Sequence, residues 1–204
     1  SPLLFANYYV WYRDGSDVKY PWSGWVRKSQ KIPPEAVKRG SPDEPHIAST
    51  AYPLVGLYDS RDARVAEWHV KLAKAAGIDA FLVSWWGKHK GRDVAFEKGI
   101  LAAARKLDFK VALLDERAQF HRELGEYKKM VVEFLGKYKD SPAYLRIDGR
   151  PVIYLYQVAT SATLTPARFT ELKQYVEPII GPVYWIVDKI AHDHSAKKRG
   201  EPDR

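Results

Sequence analysis

Ile78-Asp79-Ala80-Phe81-Leu82-Val83-Ser84-Trp85-Trp86-Gly87 is the stretch on which the reading of this chain turns. Ile78, Ala80, Phe81, Leu82 and Val83 make a short, nearly continuous apolar run. Such a run suits a parallel strand covered on both faces better than an antiparallel strand with one wet face. A helical periodicity ends just ahead of it at Gly77, and Ser84-Trp85-Trp86-Gly87 opens a loop just behind it. The strand is therefore predicted to deliver Trp85 and Trp86 to its own C-terminal edge. Sheets built of alternating β and α units bind their ligands at that edge. Two indoles there suit a flat, partly apolar ligand, and a sugar ring is the obvious candidate.

Working outward, Leu3–Val10 reads as a first strand leaving into Trp11-Tyr12-Arg13-Asp14-Gly15. The aromatic cluster Tyr8, Tyr9, Trp11, Tyr12 fits strand packing as well as a binding role. A proline-rich stretch over 13–57 reads as a long loop. Its Trp22 and Trp25 predict that it is ordered over something. Asp59 or Ser60 is predicted to cap a helix with Val65, His69, Leu72 and Ala76 on its apolar face and Gly77 at its end. His69 reads as a core or boundary histidine. Asp93 is predicted to cap a second helix, followed by a strand over Phe109–Leu114 that runs into Asp115-Glu116-Arg117. A helix over about 122–138 follows. Asp148-Gly149 then signals a hairpin between a short strand and the fourth main strand, Pro151–Tyr156. Thr165-Pro166 caps a helix reaching Gly181 with Phe169, Leu172, Val176 and Ile179 inward, and Val183–Val187 is the fifth strand, ending at Asp188.

Five main strands alternating with four helices predict right-handed β-α-β units and a parallel sheet. No Gly-x-Gly-x-x-Gly follows the first strand and no Gly-Lys-Ser/Thr phosphate loop occurs, which disfavours the open nucleotide-binding sheet. An eightfold barrel takes about 250 residues. The reading is therefore an α/β fold of the (β/α)8 TIM-barrel type, truncated after about five units: a single incomplete domain over 1–204, with a polar tail over 189–204.

Composition bounds the function. The 204 residues are 46% hydrophobic and 13% aromatic, ample for a packed core. The net charge of +8 raises the question of an anionic partner. The lysines and arginines are spread among acids on helices, however, and only Lys197-Lys198-Arg199 forms a dense run. No nucleic acid is expected as partner. No apolar run approaches the ~20 residues of a membrane span. The absence of cysteine excludes disulfides and thiolate chemistry. His192-Asp193-His194 lies in the polar tail and reads as solvated rather than as a metal site, so neither metal nor cofactor is expected.

Every strand exit holds hydrogen-bonding or stacking groups: Trp11 and Tyr12, Trp85 and Trp86, Asp115 and Glu116, Tyr156 and Gln157, and Asp188. Glu116 is the sharpest candidate, because it closely follows the apolar strand; a rim ion pair with Arg117 or Arg122 is the competing role.

Four ordered blocks, Asn7-Tyr8-Tyr9-Val10-Trp11-Tyr12, Gly56-Leu57-Tyr58-Asp59-Ser60-Arg61-Asp62, Ala76-Gly77-Ile78-Asp79 and Ser84-Trp85-Trp86-Gly87, resemble glycoside hydrolase family 99. That family holds endo-α-1,2-mannosidases and mannanases and is related to family 71. The likeness continues through Val111-Ala112 with Glu116, and through Asp148-Gly149-Arg150-Pro151 with Tyr154 and Tyr156. It implies a retaining, metal-independent endo-glycosidase on a (β/α)8 barrel that acts on α-linked mannan or related glycans, and, from bacterial members, a secreted or periplasmic location. It also implies that Tyr9, Trp11, Trp85, Trp86, Glu116, Tyr154, Tyr156, Gln157 and Asp188 line the sugar. Arg117-Ala118 stands where members commonly carry Pro-Tyr after the glutamate, and Gln157 stands where an Asp is usual. The catalytic pair expected in the family is a C-terminal Glu-x-x-Glu. The one such spacing here, Glu123 and Glu126, reads as ordinary charge on a helix face beside Lys128 and Lys129. The catalytic residues are thus expected to be missing from the chain. A non-catalytic carbohydrate-binding domain, a family-71-like α-glucanase and a domain of polysaccharide biosynthesis are the alternatives.

Overall fold

The computed structural model describes residues 2–14, 23–25, 51–87, 90–117, 123–156 and 164–188. Apolar runs become strands and periodic segments become helices in strict order. They are β1 (Phe5–Tyr8), α1 (Ala63–Ala75), β2 (Ala80–Trp85), α2 (Lys90–Val94) continuing through a π-helical stretch (Ala95–Leu101) into α3 (Ala102–Lys106), β3 (Lys110–Asp115), α4 (Leu124–Tyr138), β4 (Arg146–Ile147), β5 (Arg150–Leu155), α5 (Pro166–Ile180) and β6 (Tyr184–Val187). The alternation predicted from the sequence is present. The chain divides into two compact units, Ser1–Val83 with Lys88–Val111, and Ser84–Gly87 with Ala112–Arg204. The tail over 189–204, the Trp22 of the long loop and most of that loop lie outside the described residues. Trp25 is described, and it is buried, with its indole N–H donating to the Tyr58 carbonyl at 2.8 Å.

In the first unit β1 and β2 pair in parallel, from Phe5 opposite Ala80 to Tyr8 opposite Val83. Every residue of β2 is buried, as its unbroken apolar run requires. α1 begins one turn later than predicted. Its cap is Asp62, whose carboxylate accepts the Arg64 N–H, while Asp59 is occupied by the guanidinium and backbone N–H of Arg61. Its buried stripe is Ala66, Val70 and Ala73 rather than Val65, His69, Leu72 and Ala76; Leu72 is 48% exposed. Small residues win the inward positions because α1 packs closely on the π-helical stretch and α3. Leu72 and Ala76 instead line an open groove of about 440 Å³ with Tyr8, Tyr9 and Ile78.

The second predicted helix starts at Lys90, so Asp93 lies in its first turn instead of capping it. Gly99 sits in the widened π-helical stretch, where a Cβ would come within 2.5 Å of the Ser60 carbonyl oxygen. Only glycine lets the loop before α1 approach that closely.

In the second unit β3, β5 and β6 run parallel, with Leu113–Asp115 opposite Ile153–Leu155 and Val152–Leu155 opposite Tyr184–Val187. β4 pairs antiparallel with the start of β5 across Asp148-Gly149, both in the left-handed region at φ 50° and 74°. That is the mirror-image turn that two-residue hairpins prefer. Buried Tyr144 ties β3 to β5: its hydroxyl accepts the Leu113 N–H at 3.3 Å and donates to the Val152 carbonyl at 2.8 Å. α4 turns Tyr127, Val131, Phe134, Leu135 and Tyr138 inward, and each large side chain contributes about 1.5–3 kcal/mol by leaving water. α5 is capped as predicted, with Thr165 accepting the Arg168 N–H and Pro166 in its first turn. It buries Ile180 where Ile179 was expected, and Ile179 stands exposed.

Candidate functional site

Three hydrogen bonds set the site level in the second unit. Just past the ordered strands, the N–H of Glu116 donates to the Trp85 carbonyl, that of Tyr156 to the Asp115 carbonyl, and that of Asp188 to the Leu155 carbonyl, each at 3.1 Å. Glu116, Tyr156 and Asp188 therefore stand in one row at the C-terminal ends of β3, β5 and β6. Side chains alternate faces along a strand, so Tyr154, two residues before Tyr156, shares their face. Its hydroxyl reaches Asp188 and is bonded to it. Burial, and then the Asp188 charge, push the Tyr154 phenol above its ordinary range, so it remains a neutral donor. Asp188 is itself 5% exposed.

Ser84 and Trp86 join this row from β2. The Ser84 hydroxyl donates to Glu116 Oε1, and the Trp86 indole N–H donates to Ser84 Oγ at 3.1 Å. Glu116 is 6% exposed, and Ser84 is buried as well. A carboxylate so placed can accept sugar hydroxyls with its remaining lone pairs, and the half-buried indole beside it offers a flat apolar face.

The same alternation sends the intervening residues to the other face. Trp85 is 7% exposed, with its ring 5.3 Å from that of Phe134 on α4. The two indoles expected to line a sugar together thus have different surroundings. Ser84 and Trp85 are adjacent in β2 and take opposite faces, so Trp85 packs toward α4 while the Trp86 indole, bonded to Ser84, lies with Glu116. Asp115 likewise turns away from Glu116. One of its carboxylate oxygens accepts the Tyr127 hydroxyl at 2.5 Å and the other the Arg117 N–H at 2.8 Å. Burial first, and then the Asp115 charge, hold the Tyr127 phenol well above its usual range. Asp115 thereby fixes the backbone on both sides of Glu116.

Tyr9 and Trp11 belong to the first unit, where their rings stack at 4.5 Å. Around them Tyr12 stacks on Trp25 at 4.1 Å, and the Tyr8 hydroxyl lies 3.0 Å from His69 Nδ1. Burial depresses the His69 pKa, which keeps the imidazole neutral as the boundary residue it was read to be. Gln157 and His192-Asp193-His194 lie outside the described residues. Among the described residues no group of three or more His, Asp or Glu is placed to hold a metal ion, and no helix is long and apolar enough to cross a membrane. Three contributors escaped the sequence reading: Ser84, Asp115 as an anchor, and Tyr127. Strict alternation counted back from Trp86 would have found the first. Nothing in the local sequence announces the partnership of Asp115 with Tyr127, twelve residues on.

Parallel strands alternating with helices, with polar and aromatic side chains gathered where the strands end, define a protein of the (β/α) barrel type. Within that class the chain belongs to glycosyl hydrolase family 99, whose profile matches residues 2–174. It is 30% identical over 175 residues to the glycoprotein endo-alpha-1,2-mannosidase of Rattus norvegicus, covering 76% of this chain and 36% of that protein. It is 28% identical over 186 residues to the Xenopus laevis protein of the same name, covering 83% and 40%. The chain thus spans well under half the length of these curated relatives. Among solved structures, it superposes on a GH99 endo-alpha-mannosidase from Bacteroides thetaiotaomicron with a TM-score of 0.66 at 21% identity, covering 93% of this chain and 56% of that one. The same bacterial enzyme in complex with bis-tris-propane gives 0.67 at 22%, covering 90% and 51%. The family expected from the four blocks is the family found, and the barrel-type fold is shared.

Proposed function

We propose that this chain supplies the sugar-gripping part of an endo-acting, retaining, metal-independent glycosidase that cleaves α-mannosidic bonds in mannans or related glycans. The row of Trp86, Glu116, Tyr156 and Asp188 at the strand ends carries the reading, with Tyr154 beside it. It offers an apolar platform, carboxylates and phenols, the set that grips a hydroxyl-rich ring by stacking and hydrogen bonding. The names of the mannosidase relatives point to α-1,2-linked mannose. Tyr9 and Trp11 are proposed as further aromatic sugar contacts, and Gln157 as a polar one. Incubation of the intact protein with α-1,2-linked manno-oligosaccharides, followed by product separation, tests the reading. Internal cleavage is the expected result. Absence of both cleavage and binding with every α-mannoside offered would refute it.

Binding without cleavage is a second reading, favoured by one observation. Glu123 and Glu126 are both exposed, Glu126 in the first turn of α4. Glycoside hydrolysis ordinarily needs two carboxyl groups facing one glycosidic bond. Saturable mannoside binding by this chain with no release of reducing ends would select it.

A further inference from the structure

We propose that Ser84 is a positioning residue that couples the orientation of the Trp86 indole to the charge on Glu116. The inference rests on the sugar-binding reading of these two side chains and adds a third, unassigned residue to it. Ser84 has a single hydroxyl hydrogen, and it is committed to Glu116 Oε1. Ser84 Oγ in turn accepts the Trp86 indole N–H at 3.1 Å. Indole, hydroxyl and carboxylate thus form one directed chain, N–H to O–H to O⁻, in which each bond polarises the next. Ser84 is 2% exposed, so water does not readily replace its hydroxyl. Its backbone is held in β2, the most completely buried strand, which gives the hydroxyl a fixed origin.

The indole is also the third residue of Ser84-Trp85-Trp86, one step past the strand, where the ladder no longer orders it. Ser84 Oγ tethers its ring plane through the indole N–H. An uncharged Glu116 would draw less on the Ser84 proton, making Oγ a poorer acceptor for the indole. The platform for the sugar ring and the carboxylate for its hydroxyls are in this way set together, not independently. A threonine could make both hydrogen bonds; an alanine could make neither.

The test reads the indole N–H resonance of Trp86 by ¹⁵N NMR in the intact protein, together with the dissociation constant for α-1,2-mannobiose. Glu116→Gln is expected to move the Trp86 resonance in the wild-type background and in Ser84→Thr, and to leave it unmoved in Ser84→Ala. Ser84→Ala is expected to weaken mannobiose binding about tenfold, the scale of losing a hydrogen bond to a charged group, and Ser84→Thr to restore it. A resonance that ignores Glu116→Gln in the wild type, or that shifts equally with and without the Ser84 hydroxyl, overturns the inference. If Ser84→Ala fails to fold, Ser84→Cys takes its place: its thiol is a weak donor and acceptor, so the Glu116→Gln shift must shrink there, and an undiminished shift overturns the inference. Intact coupling with no mannobiose binding would defeat the proposed function and leave the role of Ser84 standing.

Discussion

Asp115 and Glu116 are neighbours in sequence and do opposite work, one anchoring the loop from inside the helix layer and one facing the strand-end row. Tyr127 decides how firmly the anchor holds. Tyr127→Phe removes the hydroxyl from a carboxylate that is fully buried, and a hydrogen bond to a charged group is worth about 1.5–3 kcal/mol. Urea unfolding should show a loss of that size, with mannoside affinity falling as the backbone around Glu116 loosens. His69 makes the matching case for pH. Burial holds its folded pKa below the ordinary 6.5, so the unfolded chain takes up a proton that the folded chain resists. Its contribution to stability is complete above pH 6.5 and declines as the pH falls below that value. Melting temperatures measured down to about pH 5 should therefore slope downward, and His69→Gln should flatten the slope.

At the scale of elements, the identity and order of strands and helices were legible because apolar runs and helical periods rarely compete here. The ends were not. Asp59, Ser60 and Asp62 all have the chemistry of a helix cap, and the choice among them was made by a partner the sequence does not rank: Arg61 engages Asp59 and leaves Asp62 to accept the Arg64 N–H. Asp62→Ala should cost about 1 kcal/mol, seen as a lowered urea midpoint, while Ser60→Ala should leave the cap itself intact. The hydrogen bond from the Arg64 side chain holds the Asp62 carboxyl below its ordinary range, so the cap is lost at a lower pH than a free carboxylate would set. The inward stripe of α1 was misread for a related reason. Leu72 is the larger hydrophobe, but Gly99 brings the Ser60 loop so near the π-helical stretch that α1 is met by small residues. Close approach between elements is invisible to a periodicity counted on one of them.

Across the whole molecule, the face taken by a strand-end residue was readable where a single candidate follows the strand, as for Glu116, Tyr156 and Asp188. It was unreadable where two candidates stood adjacent, as Trp85 and Trp86 do. Only the strand end, Trp85, fixes which of the two indoles leaves the sheet. The same strand bookkeeping exposes a liability. Among the described residues β1 pairs with β2 alone and β6 with β5 alone, so each presents unpaired backbone groups along one side. Both carry apolar groups in the open, Leu3 and Leu4 just before β1 and Val187 at the end of β6, where Val187 is 44% exposed. Open, apolar edge strands recruit further chains, and a lysine on the edge is the usual deterrent. This 204-residue chain should therefore associate as its concentration rises in sedimentation velocity, and Val187→Lys should shift the distribution toward monomer without lowering the melting temperature. Val187 lies on the face opposite Tyr154 and Asp188, so the substitution should also leave mannoside affinity where it was. A sedimentation profile that stays monomeric in the parent, at every concentration tested, would overturn the view that these two edges recruit further chains.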